Sequence, residues 1–184
     1  MARRDSLGSQ FNEVIGKRIR QMAYAKTLEL MKRVCHDAIV SLEGNAKFWN
    51  ITGNTITSLA VGVFYKGKRV YAEYSADEMW APTMPTLKKG QMYHLSEYYD
   101  GGSVEGKPYT GEVGHGGQWG PTLGKSRLSR VHSNARDTWN LVAICPVEYA
   151  QYNARIFKMM YETYQGIPGL FEANVFYVRS SGIE

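Results

Sequence analysis

From Phe11 the apolar positions recur at three- and four-residue steps, through Val14, Ile15, Ile19 and Met22, then Tyr24, Leu28, Met31, Cys35, Ala38 and Leu42. Such spacing lines one side of a helix, here with one slip of phase near residue 23. No proline interrupts residues 1–81, Asp5 and Ser9 are the candidate caps, and Glu43-Gly44-Asn45 supplies a stop. Gly44 suits the left-handed position that follows a last helical turn. The pattern predicts a helix over residues 10–43, roughly 50 Å long at 1.5 Å per residue. A chain of 184 residues builds a core shorter than that. Part of the helix is therefore expected to need cover from another element or another subunit.

The period then changes from helical to alternating. After a break at Thr52, Gly53 and Asn54, residues Leu59, Val61, Val63 and Tyr65 share one face of a strand, and Ala60, Gly62 and Phe64 the other. Lys66-Gly67-Lys68 reads as a turn, and Arg69 to Tyr74 as the returning strand. One face of this hairpin is expected to rest on the long helix. The other carries fewer large groups and is expected to be wetter.

Residues 76–137 hold ten glycines and four prolines with no sustained period, which reads as an extended loop. Tyr93, Tyr98, Tyr99, Tyr109 and Trp119 set it apart from a disordered linker, since such linkers are poor in aromatics. The loop is expected to order against neighbours. Thr138 to Cys145 reads as a strand ended by Pro146, and Val147 to Tyr164 as a helix broken at Gly166, Pro168 and Gly169. Leu170 to Val178, with Phe171 and Phe176, reads as a strand or an arm reaching to a neighbour.

The expected fold is α+β: a long N-terminal helix on a small, mainly antiparallel sheet, a second helix near the C-terminus, and a long irregular insertion. One domain is expected, made of a flexible arm (1–8), helix plus hairpin (9–75), the insertion (76–137), and a final strand, helix and arm (138–184).

Charge adds a direction to this picture. Residues 1–33 hold eight basic side chains against three acidic, which is the whole net charge of +5; the remainder is balanced at fourteen of each. A basic N-terminal third suits either a solvated helix face or a polyanion. Thirteen tyrosines against six phenylalanines and four tryptophans suit protein contacts and a half-wet core alike. Cys35 and Cys145 lie far apart in apolar contexts and read as buried free thiols folded in a reducing compartment. No apolar stretch is long enough to span a bilayer, and the first residues lack the apolar run of a secretory signal.

Candidate chemistry is sparse. Gly120 to Ser126 approaches a phosphate-binding loop, but its glycines are one residue too close and no apolar strand precedes them. His36, His94, His115 and His132 do not pair at metal-ligand spacing; Cys35 and His36 are adjacent and point about 100° apart on a helix. There is no nucleophile elbow. Glu73, Asp77, Glu78, Glu97 and Glu112 leave a hydrolase or nuclease carboxylate pair open without arguing for one.

The order of the elements resembles that of the small tail-completion (head–tail joining, or neck) proteins of tailed bacteriophages. The matching parts are the helix Ile19 to Leu42, the Thr-Gly step within Ile51 to Leu59, the hairpin Ala60 to Tyr74, the strand Asn140 to Pro146, and Tyr149-Ala-Gln-Tyr152. The chain departs from that plan with Thr55, Ile56 and Thr57 where the family has basic residues, and with Asn153-Ala-Arg-Ile after the tyrosines.

The resemblance implies a non-enzymatic virion protein with no cofactor, made in the host cytoplasm. It implies a six- or twelve-fold ring joining portal or connector to tail, with DNA passing through its lumen. Arg3, Arg4, Lys17, Arg18 and Arg20 are then the candidate DNA-facing residues. Tyr93, Tyr98, Tyr99, Tyr109, Trp119, Phe171 and Phe176 are the candidate subunit contacts. The alternatives are a nucleic-acid-binding α+β protein using the basic helix, and a small hydrolase using the loop carboxylates.

Overall fold

The structure is a computed structural model. It describes residues 7–46, 52–77, 88–94, 103–104, 107–108, 110–116, 119–133, 138–148, 150 and 154–180. Helix α1 runs from Leu7 to Gly44, close to the expected span. It ends differently, because Gly44 does not adopt a left-handed conformation. Instead the Asn45 and Ala46 amides donate back to the Ser41 and Glu43 carbonyls. The expected break is present, with Gly53 left-handed at φ 78°. A one-turn helix, α2 (Asn54–Thr57), follows it directly.

The hairpin is β1 (Ala60–Tyr65) and β2 (Lys68–Tyr74), joined by Lys66 and Gly67 alone. Both turn residues have positive φ, 51° and 77°, as a two-residue turn matched to strand twist requires. The register slips between Val63 and Phe64, leaving Val70 as the extra residue of a bulge. The expected third strand is β7 (Trp139–Ile144), which pairs antiparallel with β1 in the order β2-β1-β7. The fold is thus the α+β arrangement expected of the chain.

The two faces of this sheet are both covered. On one, Val61 and Val63 meet Met31, Cys35, Ala38, Ile39 and Leu42 of α1. On the other, Ala60 and Phe64 are fully buried beneath Leu128. The expectation of a wetter second face was therefore mistaken. Its cover is a helix, α3 (Trp119–Ser129), lying inside the glycine-rich stretch read as loop. That stretch also carries the short strands β3 (Met92–His94), β4 (Ser103–Val104), β5 (Lys107–Pro108) and β6 (Thr110–Glu112). They form two small antiparallel pairs, β3 with β6 and β4 with β5.

The C-terminal expectation is corrected as well. Helix α4 spans Ala154–Ser180 without a break, so Leu170 to Val178 is helical, neither strand nor extended arm. It starts later than expected, Val147 and Ala150 belonging to a turn after β7. The helix continues through Gly166, Pro168 and Gly169 because its apolar side does. Ile156, Met159, Met160, Ile167, Leu170 and Phe171 all pack on the main core, while Pro168 is exposed. Polar pairs fasten α4 to α1: Asn174 donates to Asp37 at 2.6 Å, and Asn45 to Thr163 at 3.2 Å.

Candidate functional site

Helix α1 leaves the body of the protein at Tyr24. There the Tyr24 ring meets Tyr65 and Trp139 at the sheet's end, at 5.1 and 5.2 Å. Between Phe11 and Lys26 all side chains except Gly16 are exposed, including Phe11 (66%), Val14, Ile15, Ile19 (60%) and Met22. These apolar residues do not continue the core-facing side of the helix. At about 100° per residue, their stripe points roughly 165° away from the line of Met31, Cys35, Ala38 and Leu42. The phase slip seen in the sequence is thus a change of side. No element of the same body lies on the side to which the free stripe turns, among the described residues.

The basic residues of this free half divide between its sides. Lys17 and Arg20 lie with Glu13 on the side away from the stripe, and Arg18 and Lys26 lie within the stripe. Of the candidate DNA-facing residues, Lys17, Arg18 and Arg20 are all exposed. Arg3 and Arg4 lie outside the described residues. The free half therefore has an apolar stripe on one side, and its four basic residues are shared equally between that side and the other.

A second uncovered apolar surface lies on α4. Phe157 (72% exposed), Tyr161 and Tyr164 (71%) are spaced at i, i+4 and i+7 and form a ridge. The first two rings stack at 6.4 Å. Beside Phe157 opens a cleft of about 560 Å³ between α3, the end of β7 and α4; Val131, Ile144, Cys145 and Met160 line it, with Arg127 and Arg130 on the α3 side. In the sequence the ridge is overshadowed by the core-facing stripe of the same helix, which carries Ile156, Met159 and Met160. Its own helical spacing was the available signal.

The candidate subunit contacts divide three ways. Trp119 opens α3, packs partly into the main core and stacks on His115, with ring centres 3.7 Å apart. Phe171 is half-buried against the same core. Tyr93 is half-buried, its ring lying over Gly111 where a Cβ would stand 2.5 Å from the hydroxyl. Tyr98, Tyr99 and Tyr109 lie outside the described residues, as does the side chain of Phe176, whose backbone is within α4. The structure brings none of the described three to the exposed surfaces of α1 or the α4 ridge.

The glycine-rich stretch serves packing. Buried Asn54 donates to the His115 and Gly116 carbonyls at 3.2 and 3.0 Å and accepts from the Gly120 amide at 2.9 Å. It thereby caps α3 from the neighbouring α2. Gly120 and Gly124 face α2 so closely that a Cβ at either would stand 2.5 Å from a backbone oxygen, that of Asn54 or of Ser58. These are the glycines that resembled a phosphate loop, and they sit inside a helix.

The titratable groups that do converge are structural. His36 lies 3.1 Å from Glu73, which accepts from the Tyr71 hydroxyl at 2.6 Å. Burial, then the hydrogen bond to and charge of Glu73, push the Tyr71 hydroxyl up from its ordinary value. Cys35, one residue from His36, is buried and donates to the Val61 carbonyl. Burial raises its thiol to about 12, and that of Cys145 to about 11, so neither is an activated nucleophile.

Glu73 and Glu112 stand in separate sheets. Glu78 and Glu97 lie outside the described residues, as does the side chain of Asp77. Among the described residues no cluster of three or more His, Cys, Asp or Glu could hold a metal ion, and no helix is long and apolar enough to cross a membrane. Compared with family models, curated proteins and solved structures, the chain matches none.

Proposed function

We propose that the chain is a structural ring subunit of a phage neck, joining portal or connector to tail around the DNA channel. The observation that carries this reading is the free half of α1. It stands clear of the body, with an apolar stripe on one side and exposed Lys17 and Arg20 on the other. An isolated monomer gains nothing from five large exposed apolar side chains in a row. A ring subunit needs such a surface, and two unlike contact surfaces, to meet a neighbour on each side. The side bearing Lys17 and Arg20 then remains available to phosphates, and contacts of that kind permit sliding because they are independent of sequence. The element order that resembles tail-completion proteins supports the same reading.

Imaging of joined particles tests it. The expected result is a six- or twelve-fold ring of this chain between portal and tail, with its loss leaving filled heads and separate tails. Joined particles that lack the chain would exclude the role.

The exposed basic residues also support a second reading, a nucleic-acid-binding protein with no place in a virion. DNA affinity separates the two. The ring reading expects sequence-independent binding whose salt dependence weakens by up to about three in log–log slope when Lys17, Arg18 and Arg20 are neutralised. A strong preference for one DNA site would favour the second reading.

A further inference from the structure

Two apolar surfaces of the chain lack cover among the described residues, and they lie on different elements. One is the free stripe of α1; the other is the ridge of Phe157, Tyr161 and Tyr164 on α4. We infer that they are the two halves of one contact, in which the free half of α1 in one copy lies along the α4 ridge of the next copy. This inference rests on the ring reading and names the surfaces that meet.

Size and shape argue for the pairing. The stripe spans about 17 Å of helix and the ridge about 11 Å, extended by the cleft beside Phe157. Together the two expose roughly 900 Å² of large apolar residues, close to the ~1,000 Å² that a specific interface requires. A row of large apolar side chains against spaced rings is the ridge-and-groove match of packed helices. Lys17 and Arg20 stay on the outer side of α1.

A symmetric pairing of two α1 stripes fits less well. Run antiparallel, it brings two Arg18 side chains near each other at its middle, and it leaves the α4 ridge bare. The head-to-tail contact covers both surfaces with one geometry, and repetition of such a contact produces a ring or a filament.

Two exposed-site variants test the contact: Ile19→Asp on the stripe and Tyr161→Asp on the ridge. Burying a carboxylate in an apolar contact should weaken self-association of each by ~100-fold or more, while circular dichroism shows an unchanged fold. An equimolar mixture should then form a one-to-one pair and stop. The intact ridge of the first variant still accepts the intact stripe of the second, and no further contact is possible. A Tyr161→Asp chain that still associates, a mixture that stays monomeric, or a wild-type chain monomeric at 100 µM (about the upper range of purified samples) each overturn the inference. A ring in particles that survives both variants would overturn the contact and leave the neck role standing.

Discussion

Several side chains of this protein are set by what stands within a few ångströms of them. Gly124 faces the Ser58 carbonyl so closely that Gly124→Ala forces α3 away from α2. The expected cost is about 2–3 kcal/mol, read as a lower urea midpoint with unchanged slope; a midpoint equal to wild type would mean that the helices do not touch there. Gly166 and Gly169 have open space around an added Cβ and lie within a helix. Gly166→Ala should therefore stabilise by about 0.5–1 kcal/mol, and a lower melting temperature would contradict the helical assignment. Cys35 sets a pH dependence. Its thiol ionises at about 12 in the fold against an ordinary value of 9.0, so the native state holds its proton more tightly than the unfolded chain. The resulting stability is fully present below about pH 9 and is lost as pH rises from there through 12, the unfolded chain alone being ionised in that window. Unfolding midpoints at pH 8 and 10.5 should diverge for wild type and diverge less for Cys35→Ala. Equal divergence would assign the effect to other groups.

At the scale of elements, the legible parts of the fold were those whose burial is written in large apolar side chains. Helix α1, β1 and β7 each set Val, Leu, Ile or aromatic residues against the core, so apolar spacing or an apolar run, with the turn at Lys66 and Gly67 and the stop at Pro146, located them. Helix α3 could not be found that way. Its buried line is Gly120, Gly124 and Leu128, and two of those three positions have no side chain to register as hydrophobic. They are buried because α2 approaches too closely for anything larger, a fact about a contact 66 residues distant in sequence. Helix α4 was misread for the opposite reason. Gly166, Pro168 and Gly169 announce a break, and a proline inside a helix costs about 3 kcal/mol. Packing of Ile167, Leu170 and Phe171 on the core outweighs that local cost. The candidate surface was half legible: spacing revealed the α1 stripe, but which side of the helix it occupied became apparent only once the body was seen to lie on the other. The balance at α3 has its own check. Leu128 is fully buried beneath the sheet, so Leu128→Ala should cost about 2–5 kcal/mol by chemical denaturation. A loss under about 0.5 kcal/mol would show that α3 is not needed as cover.

The whole molecule separates two tasks along a single helix. From Thr27 onward α1 holds the core together, with Met31, Val34, Cys35, Ala38, Ile39 and Leu42 all buried. Before Tyr24 it contributes nothing to that core, and its apolar stripe turns to the opposite side. Selection for stability alone has no use for such a stripe, since exposed apolar rows favour aggregation. Its cost is offset only where another surface covers it. Stability of one copy and association between copies should therefore respond to different halves of the same element. Replacing Phe11, Ile15 and Ile19 together by glutamine keeps good helix formers in the helix and removes no contact with the body. The unfolding free energy of the dilute, monomeric chain should stay within about 0.5 kcal/mol of wild type, while self-association is lost. Met31→Ala should do the reverse, costing about 2–5 kcal/mol in the same dilute unfolding experiment while leaving the free stripe intact in the chains that remain folded. If the triple glutamine chain instead unfolds several kcal/mol more easily, the stripe belongs to the fold of its own chain, and the division of α1 into a core half and a contact half is wrong.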